Sequence, residues 1–423
     1  MNFRNKIAYS FAIDPLHFIE KNEGSVAYFN SNDEAKTNLL AWGKVAELKI
    51  YETSGAFDKL KAFQSEHKDW MTGFLSYDLK NDVEKLESKN ESALDFANLH
   101  FIIPELLIEF LPNETTVFAI DGFSIDALNE MIHLARDKYI PETINSVNTI
   151  FHGHDEDEYL KHFDRLAKHI QHGDIYEVNY CLEFKSDNIN IDPVSTYYRL
   201  NKQTSAPFSV FFKDNEHYLL CGSPERFLKK EGNSILSQPI KGTIRRGVDS
   251  KEDEELKEKL RNDPKEQAEN VMIVDLVRND LSRIATKASV KVDELFGVYS
   301  FKTVHQLISS VSCQSREELH PVDIIKATFP MGSMTGAPKI RAMQLIEDNE
   351  DFKRGIYSGA FGYFTPEGDF DFNVVIRSIL YNENKKVISF PVGGAITSLA
   401  NGSDEYHECI LKAKAMKKAL QNS

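Results

Sequence analysis

The chain has 423 residues, 41% hydrophobic and 27% charged, the make-up of a globular protein with ample material for a core. Its 50 Lys and Arg stand against 65 Asp and Glu, a formal charge of −15 with no basic stripe, which disfavours nucleic acid and acidic membrane as partners. No apolar run is long enough for a bilayer and Met1-Asn2-Phe3-Arg4-Asn5-Lys6 carries no signal-peptide core. The four cysteines (Cys181, Cys221, Cys313, Cys409) lack C-x-x-C spacing, so a reduced, cytoplasmic protein without structural zinc is expected.

No Pro/Gly/Ser-rich linker or repeat divides the chain. The nearest thing to a boundary is the polar, acidic stretch Asn145 to Asp157, which separates an N-terminal region, 1–145, from a longer region, 146–423. Tyr159, Leu160, Phe163, Leu166, Ala167 and Ile170 recur at helical spacing over Asp155 to Gln171, with Gly173 as the C-terminal stop. The period then changes to two. Tyr176, Val178, Tyr180, Leu182 and Phe184 alternate with Glu177, Asn179, Cys181 and Glu183, a half-buried strand with Glu177 and Asn179 on the face opposite the core. Further strands are expected at Phe208–Phe212, Tyr218–Cys221, Ser234–Ile240, Gly359–Phe364, Phe370–Leu380 and Lys386–Val392. Helices are expected at Lys251–Arg261, Pro264–Ile284, Pro338–Glu347 and Asp404–Leu420. Runs of strands beside blocks of helix predict an α+β protein with largely antiparallel sheets.

Several residue groups carry chemistry. Lys241, in Gln238-Pro239-Ile240-Lys241-Gly242-Thr243, is either a solvated turn lysine or, if its amine is neutral, a nucleophile; Gly242 and Thr243 offer donors to an anion. Glu266 and Glu269 lie i,i+3 on one expected helix, and Glu405 and Glu408 lie i,i+3 on another. They are two solvated helix faces or, if the helices meet, the oxygen shell of a hard cation such as Mg²⁺. Glu225 in Ser223-Pro224-Glu225-Arg226-Phe227 pairs with Arg226 or, protonated by burial, acts as a general acid. Arg377 within an expected inner strand calls for an anionic partner, and its fork suits a carboxylate. His305 in an apolar setting is by default a core histidine. The turn around Ser333 and the run Gly393-Gly394-Ala395 present backbone N–H groups. Asp275, Arg278, Asn279, Asp280 and Lys339 are read as structural.

From about residue 150 onward these segments are collinear with a known family. Gly173-Asp-Ile-Tyr-Glu-Val-Asn179, Ser223–Phe227, Pro239–Thr243, Glu269–Asp280, Phe329–Lys339, Tyr357–Tyr363, Val375–Ser378 and Glu405–Glu408 resemble the chorismate-utilising enzymes; before residue 150 the best piece is Gly73–Asp78. The resemblance implies one body of two packed sheets flanked by helices, with the N-terminal region completing it. It implies Mg²⁺ held by Glu269 and Glu408 with Glu266 and Glu405 in support, and Glu225 as general acid. It also implies a substrate carboxylate on Arg377 near Tyr357, with His305 close to the substrate. Alanine at the Lys241 position is usual in anthranilate-forming members, and hydroxylating members carry a lysine where this chain has Glu177. Lys241 without that second lysine is similar to the aminodeoxychorismate synthase branch, in which the lysine adds covalently to C2 of chorismate and ammonia follows at C4. Glu177 departs from the glutamine common in amine-transferring members. No cysteine here sits in a glutaminase elbow, so ammonia is expected from a separate glutamine amidotransferase subunit. An anthranilate synthase, or a non-catalytic chorismate- or tryptophan-binding subunit, is the alternative.

Overall fold

A computed structural model describes residues 4–33, 35–141 and 151–421. The 145/146 boundary falls outside the described residues. The fold is α+β: two large sheets, in which every described strand pair is antiparallel, with helices packed around them. Five strands from the first 120 residues join the eleven-stranded sheet and three join the ten-stranded one. Val26–Asn30 pairs with Phe208–Asp214, and Met71–Leu75 pairs with Ala360–Phe364, so in each sheet a block of early strands is joined to a block of later ones through one such pair. No helix among the described residues is long and apolar enough to cross a membrane.

Both faces of the eleven-stranded sheet are covered. Along Phe208–Asp214, Val210 and Phe212 enter a core shared with the second sheet, while Phe211 enters a core shared with the helices. Leu219 and Cys221 face the first core, and Tyr218 and Leu220 the second. Strands buried on both sides read as continuous apolar runs rather than alternations. The strand Glu177–Ser186 keeps the expected division: Val178, Tyr180, Leu182 and Phe184 pack towards the helices. Its other face is not solvent, because Glu177 and Asn179 are 1% and 7% exposed.

The helices Glu156–Gln171, Ser250–Arg261, Pro264–Ser282, Lys339–Asn349 and Gly402–Leu420 form where their periodicity places them. Asp155, Asp249, Asp263 and Asn401 cap four of them with side-chain acceptors, supplying partners for otherwise orphaned first-turn N–H groups. The long strand expected over Phe370–Leu380 is two strands. Phe370–Val374 belongs to the second sheet and Ser378–Asn382 to the first, and the chain crosses between them at residues 375–377. Arg377, expected inside a strand, sits in this crossover at φ +50°. A left-handed arginine costs free energy and persists only where neighbours fix it.

Candidate active site

A second crossover lies beside the first. Between His217–Ser223 of the first sheet and Arg226–Glu231 of the second, residues 224–225 carry Glu225. The crossovers are bonded to each other: Gly222 N donates to Arg377 O (3.1 Å), Val374 N to Glu225 O (3.1 Å), and Ser223 Oγ to Val374 O (2.5 Å). Glu225 and Arg377 are thereby fixed where the two sheets part. A cavity of about 510 Å³ opens there, lined by both residues, by Lys241 and by the two helices bearing paired glutamates.

Lys241 reaches the cavity from the edge strand Ile240–Arg245, whose pairing with Val304–Gln314 slips at Gly242. Gly242 has φ +80°, and a Cβ there would lie 2.9 Å from Glu266 Oε2. Glycine therefore serves both the bulge and the close approach of that carboxylate. Lys241 Nζ donates to Glu177 Oε1 at 2.7 Å and lies 3.9 Å from Glu269 Oε2. Burial alone lowers an ammonium pKa, but Glu177 and Glu269 outweigh it and hold Lys241 well above its ordinary value. The resting amine is a buried ammonium, the opposite of the downward push that a neighbouring cation exerts.

Glu225 is 5% exposed and does not pair with Arg226. Arg226 forks onto Asp371 at 2.9 and 3.0 Å and reaches Gln238, which leaves Glu225 facing the cavity. Burial lifts its carboxyl to about 7, against the pull of Ser333, Lys241 and Arg377. A carboxylic acid with that pKa is about half protonated at neutral pH, the poise that suits a general acid. The Arg377 guanidinium has no hydrogen bond or ion pair among the described residues; burial lowers its pKa while the charges of Glu225 and Glu408 oppose this. It is a cation ready for an anionic ligand.

Glu266, Glu269, Glu405 and Glu408 all line the same cavity. No three of them bring oxygens within 4.8 Å of one another among the described residues, because lysines intervene. Lys265 Nζ lies 2.7 Å from Glu405 Oε1 and 3.9 Å from Glu269 Oε1; Lys412 Nζ lies 2.8 Å from Glu408 Oε1 and donates to Gly393 O. Glu269 Oε1 is buried without a hydrogen bond, and burial raises that carboxyl to about 7. Hard oxygen donors with an unsatisfied buried member suit a hard cation. The tighter acidic group, Glu47, His100 and Asp214, lies elsewhere and is neutralised by Lys44 and Lys49.

Ser333, Tyr357, Thr243, Gly393, Gly394 and Ala395 also reach the cavity. Gly393–Ala395 run in the strand Val387–Thr397, whose pairing with Ser378–Asn382 ends at Ser389, so one edge beyond it has no strand partner. A Cβ on Gly394 would sit 3.2 Å from Glu405 Oε2. His305 is not brought to the cavity. It is wholly buried, with Nε2 2.9 Å from Asp253 Oδ1 and Nδ1 2.9 Å from Ser300 Oγ, while its strand neighbours Val304 and Gln306 line the cavity. Alternation along a strand puts a single residue on the wrong face for its neighbours' role. Asp275 and Arg278 pair at 2.7 Å, and Asp280 pairs with Lys339 at 2.6 Å, away from the large cavity's lining.

Sequence reasoning missed Lys265, Lys412 and the partnership of Glu177 with Lys241. The i,i+4 spacing of Lys265 to Glu269 and of Glu408 to Lys412 was the available signal for two of them. For Glu177 nothing local was available, since its partner is 64 residues away.

Residues 21–418 match the family model described as chorismate binding enzyme. The chain is 31% identical over 395 residues to the aminodeoxychorismate synthase component 1 of Bacillus subtilis (strain 168), covering 86% of this chain and 83% of that one. It is 42% identical over 269 residues to a probable chloroplastic aminodeoxychorismate synthase of Oryza sativa subsp. japonica, covering 63% of this chain but only 30% of the rice protein's length. The crystal structure of anthranilate synthase component I from Streptococcus pneumoniae TIGR4 is similar, with a TM-score of 0.78 at 27% identity, over 90% of this chain and 92% of that one.

Proposed function

Since this chain belongs to the chorismate-binding enzymes, we propose that it aminates chorismate at C4, giving 4-amino-4-deoxychorismate. The observation that carries this reading is the amine of Lys241, buried against Glu177 in the cavity that Glu225 and Arg377 share. Arg377, with no protein anion bonded to it, binds a substrate carboxylate through its fork. Glu225 gives its proton to the departing C4 hydroxyl, which then leaves as water. The Lys241 ammonium passes a proton to Glu177 along their 2.7 Å hydrogen bond, and the neutral amine bonds to C2 as the two conjugated ring double bonds shift and the C4–O bond breaks. Ammonia then bonds to C4 and expels the lysine.

Glu269 and Glu408, with Glu266 and Glu405 beside them, would hold Mg²⁺. When bound, the ion would offset the carboxylate charge and supply a Lewis acid for a substrate carboxylate. Relatives named component 1 support a second component for this chain as well, a glutamine amidotransferase that delivers ammonia. Four free, buried cysteines support a reduced compartment, and the location proposed is the cytoplasm. Lys241→Ala tests the covalent route. Formation of 4-amino-4-deoxychorismate from chorismate, Mg²⁺ and ammonium should fall by at least about 10²-fold, with chorismate still bound. Product at the unmodified rate would remove Lys241 as nucleophile.

A further inference from the structure

Glu225 and Ser333 also line a second cavity, of about 20 Å³, room for one water. Its polar lining comes from Glu225, Arg226, Ser237, Asp280, Thr328 and Ser333. Two of these carry buried oxygens with no hydrogen bond of good geometry: Asp280 Oδ1 and Ser333 Oγ. A buried carboxylate oxygen without a partner is costly, and a water between such groups offsets the cost. The other oxygen of Asp280 accepts from Lys339 Nζ at 2.6 Å, and that ammonium also donates to Pro330 O at 2.9 Å. The ammonium also lies 3.4 Å from Thr328 O, and the Lys339 side chain is 10% exposed and that of Asp280 6%.

We propose that a water in this cavity joins Asp280 to Glu225, and that the Lys339–Asp280 pair reloads Glu225 with a proton through the small cavity, which Asp280 lines, and not through the large one, which it does not line. The inference rests on the reading of Glu225 as general acid. The leaving hydroxyl takes the Glu225 proton and departs as water, and the incoming nitrogen loses one proton as it becomes the product amine, a proton that leaves to solvent as Lys241 and Glu177 return to their resting charges. One proton must therefore return to Glu225 in each cycle. On its cavity side Glu225 faces bound ligand, with Lys241 and Arg377 as the neighbouring charges. Asp280 faces Lys339 and Arg283, while Arg226 is committed to Asp371. Lys339 passes a proton to Asp280, Asp280 passes one through the water to Glu225, and Lys339 regains its own from solvent, so the relay ends as it began. Asp280 acts through Glu225 and touches no substrate.

The test is steady-state kinetics with chorismate, Mg²⁺ and ammonium from neutral to alkaline pH on the whole chain, its Asp280→Asn variant and its Ser237→Val variant. Asparagine keeps the shape but carries no transferable proton. Valine fills the small cavity without touching the Lys339–Asp280 pair. Each should lower kcat by about tenfold or more with chorismate KM within about twofold, the deficit widening as pH rises and hydronium becomes scarce. A purely structural role for Asp280 predicts a lower melting temperature with the kcat–pH profile unchanged, and that result in either variant overturns the relay. If Asp280→Asn does not fold, Ser237→Val decides. A wild-type chain that makes no 4-amino-4-deoxychorismate refutes the functional reading itself; normal wild-type turnover with unaffected variants refutes only the relay.

Discussion

Lys241 must lose a proton that its neighbours hold tightly. Glu177 and Glu269 both favour the ammonium, and they prevail over a burial that alone would release it. Replacing Glu177 by glutamine removes the nearer negative charge, at 2.7 Å, while keeping an acceptor in place. The folded pKa of Lys241 is raised by that charge, so the substitution lowers it and the neutral amine becomes available at lower pH. In Glu177→Gln the pH midpoint for forming a chorismate adduct on the Lys241 peptide should therefore move down, read by mass spectrometry across a pH series. A midpoint that stayed or rose would mean that Glu177 does not set the protonation of the lysine. The site was legible in the sequence at this scale mainly through motif resemblance. Lys241, Glu225, Arg377 and the glutamates come together, whereas His305 is turned away by strand alternation to meet Asp253. The choice between a Glu225–Arg226 pair and a free acid depended on Asp371, 145 residues from Arg226 in the chain.

The helices Pro264–Ser282 and Gly402–Leu420 bring two i,i+3 glutamate pairs to one cavity, with Lys265 and Lys412 as internal counter-charges. A divalent cation bound by this folded arrangement raises stability by mass action. Mg²⁺ should raise the melting temperature of the wild type at neutral pH, and Glu269→Gln or Glu408→Gln should lose most of that rise, which a thermal shift titration reads directly. An undiminished shift in both variants would move the cation elsewhere. These helices were predictable because each is a long run of helix-forming residues opened by an acceptor cap, Asp263 in one and Asn401 in the other. The division of Phe370–Leu380 into two strands was not, since nothing in an apolar run marks where the chain leaves one sheet for the other. The N-terminal strands were equally hard to read. Val26–Asn30 and Asn38–Trp42 lie inside a sheet covered on both faces, so the polar alternation that identifies a strand is missing.

At the scale of the whole molecule, a buried ion pair ties the first sheet and the site to the N-terminal region. Arg354, 3% exposed, forks onto Glu350 and donates to Met334 O at 2.7 Å and Asn179 O at 2.8 Å, joining the turn that carries Ser333 to the strand that carries Glu177. Its guanidinium also stacks 4.6 Å from the Tyr77 ring in the N-terminal region. Arg354→Ala strands the Glu350 carboxylate in the core and should cost about 3–5 kcal/mol of unfolding free energy. Urea denaturation measures this, and a loss below about 1 kcal/mol would show that the pair is not a structural centre.

The central claim is that this cavity aminates chorismate at C4, and product identity tests it most directly. The purified chain is given chorismate, Mg²⁺ and ammonium salt, and the product is resolved by chromatography and mass spectrometry. The account predicts 4-amino-4-deoxychorismate. Anthranilate, isochorismate or unchanged chorismate would contradict it.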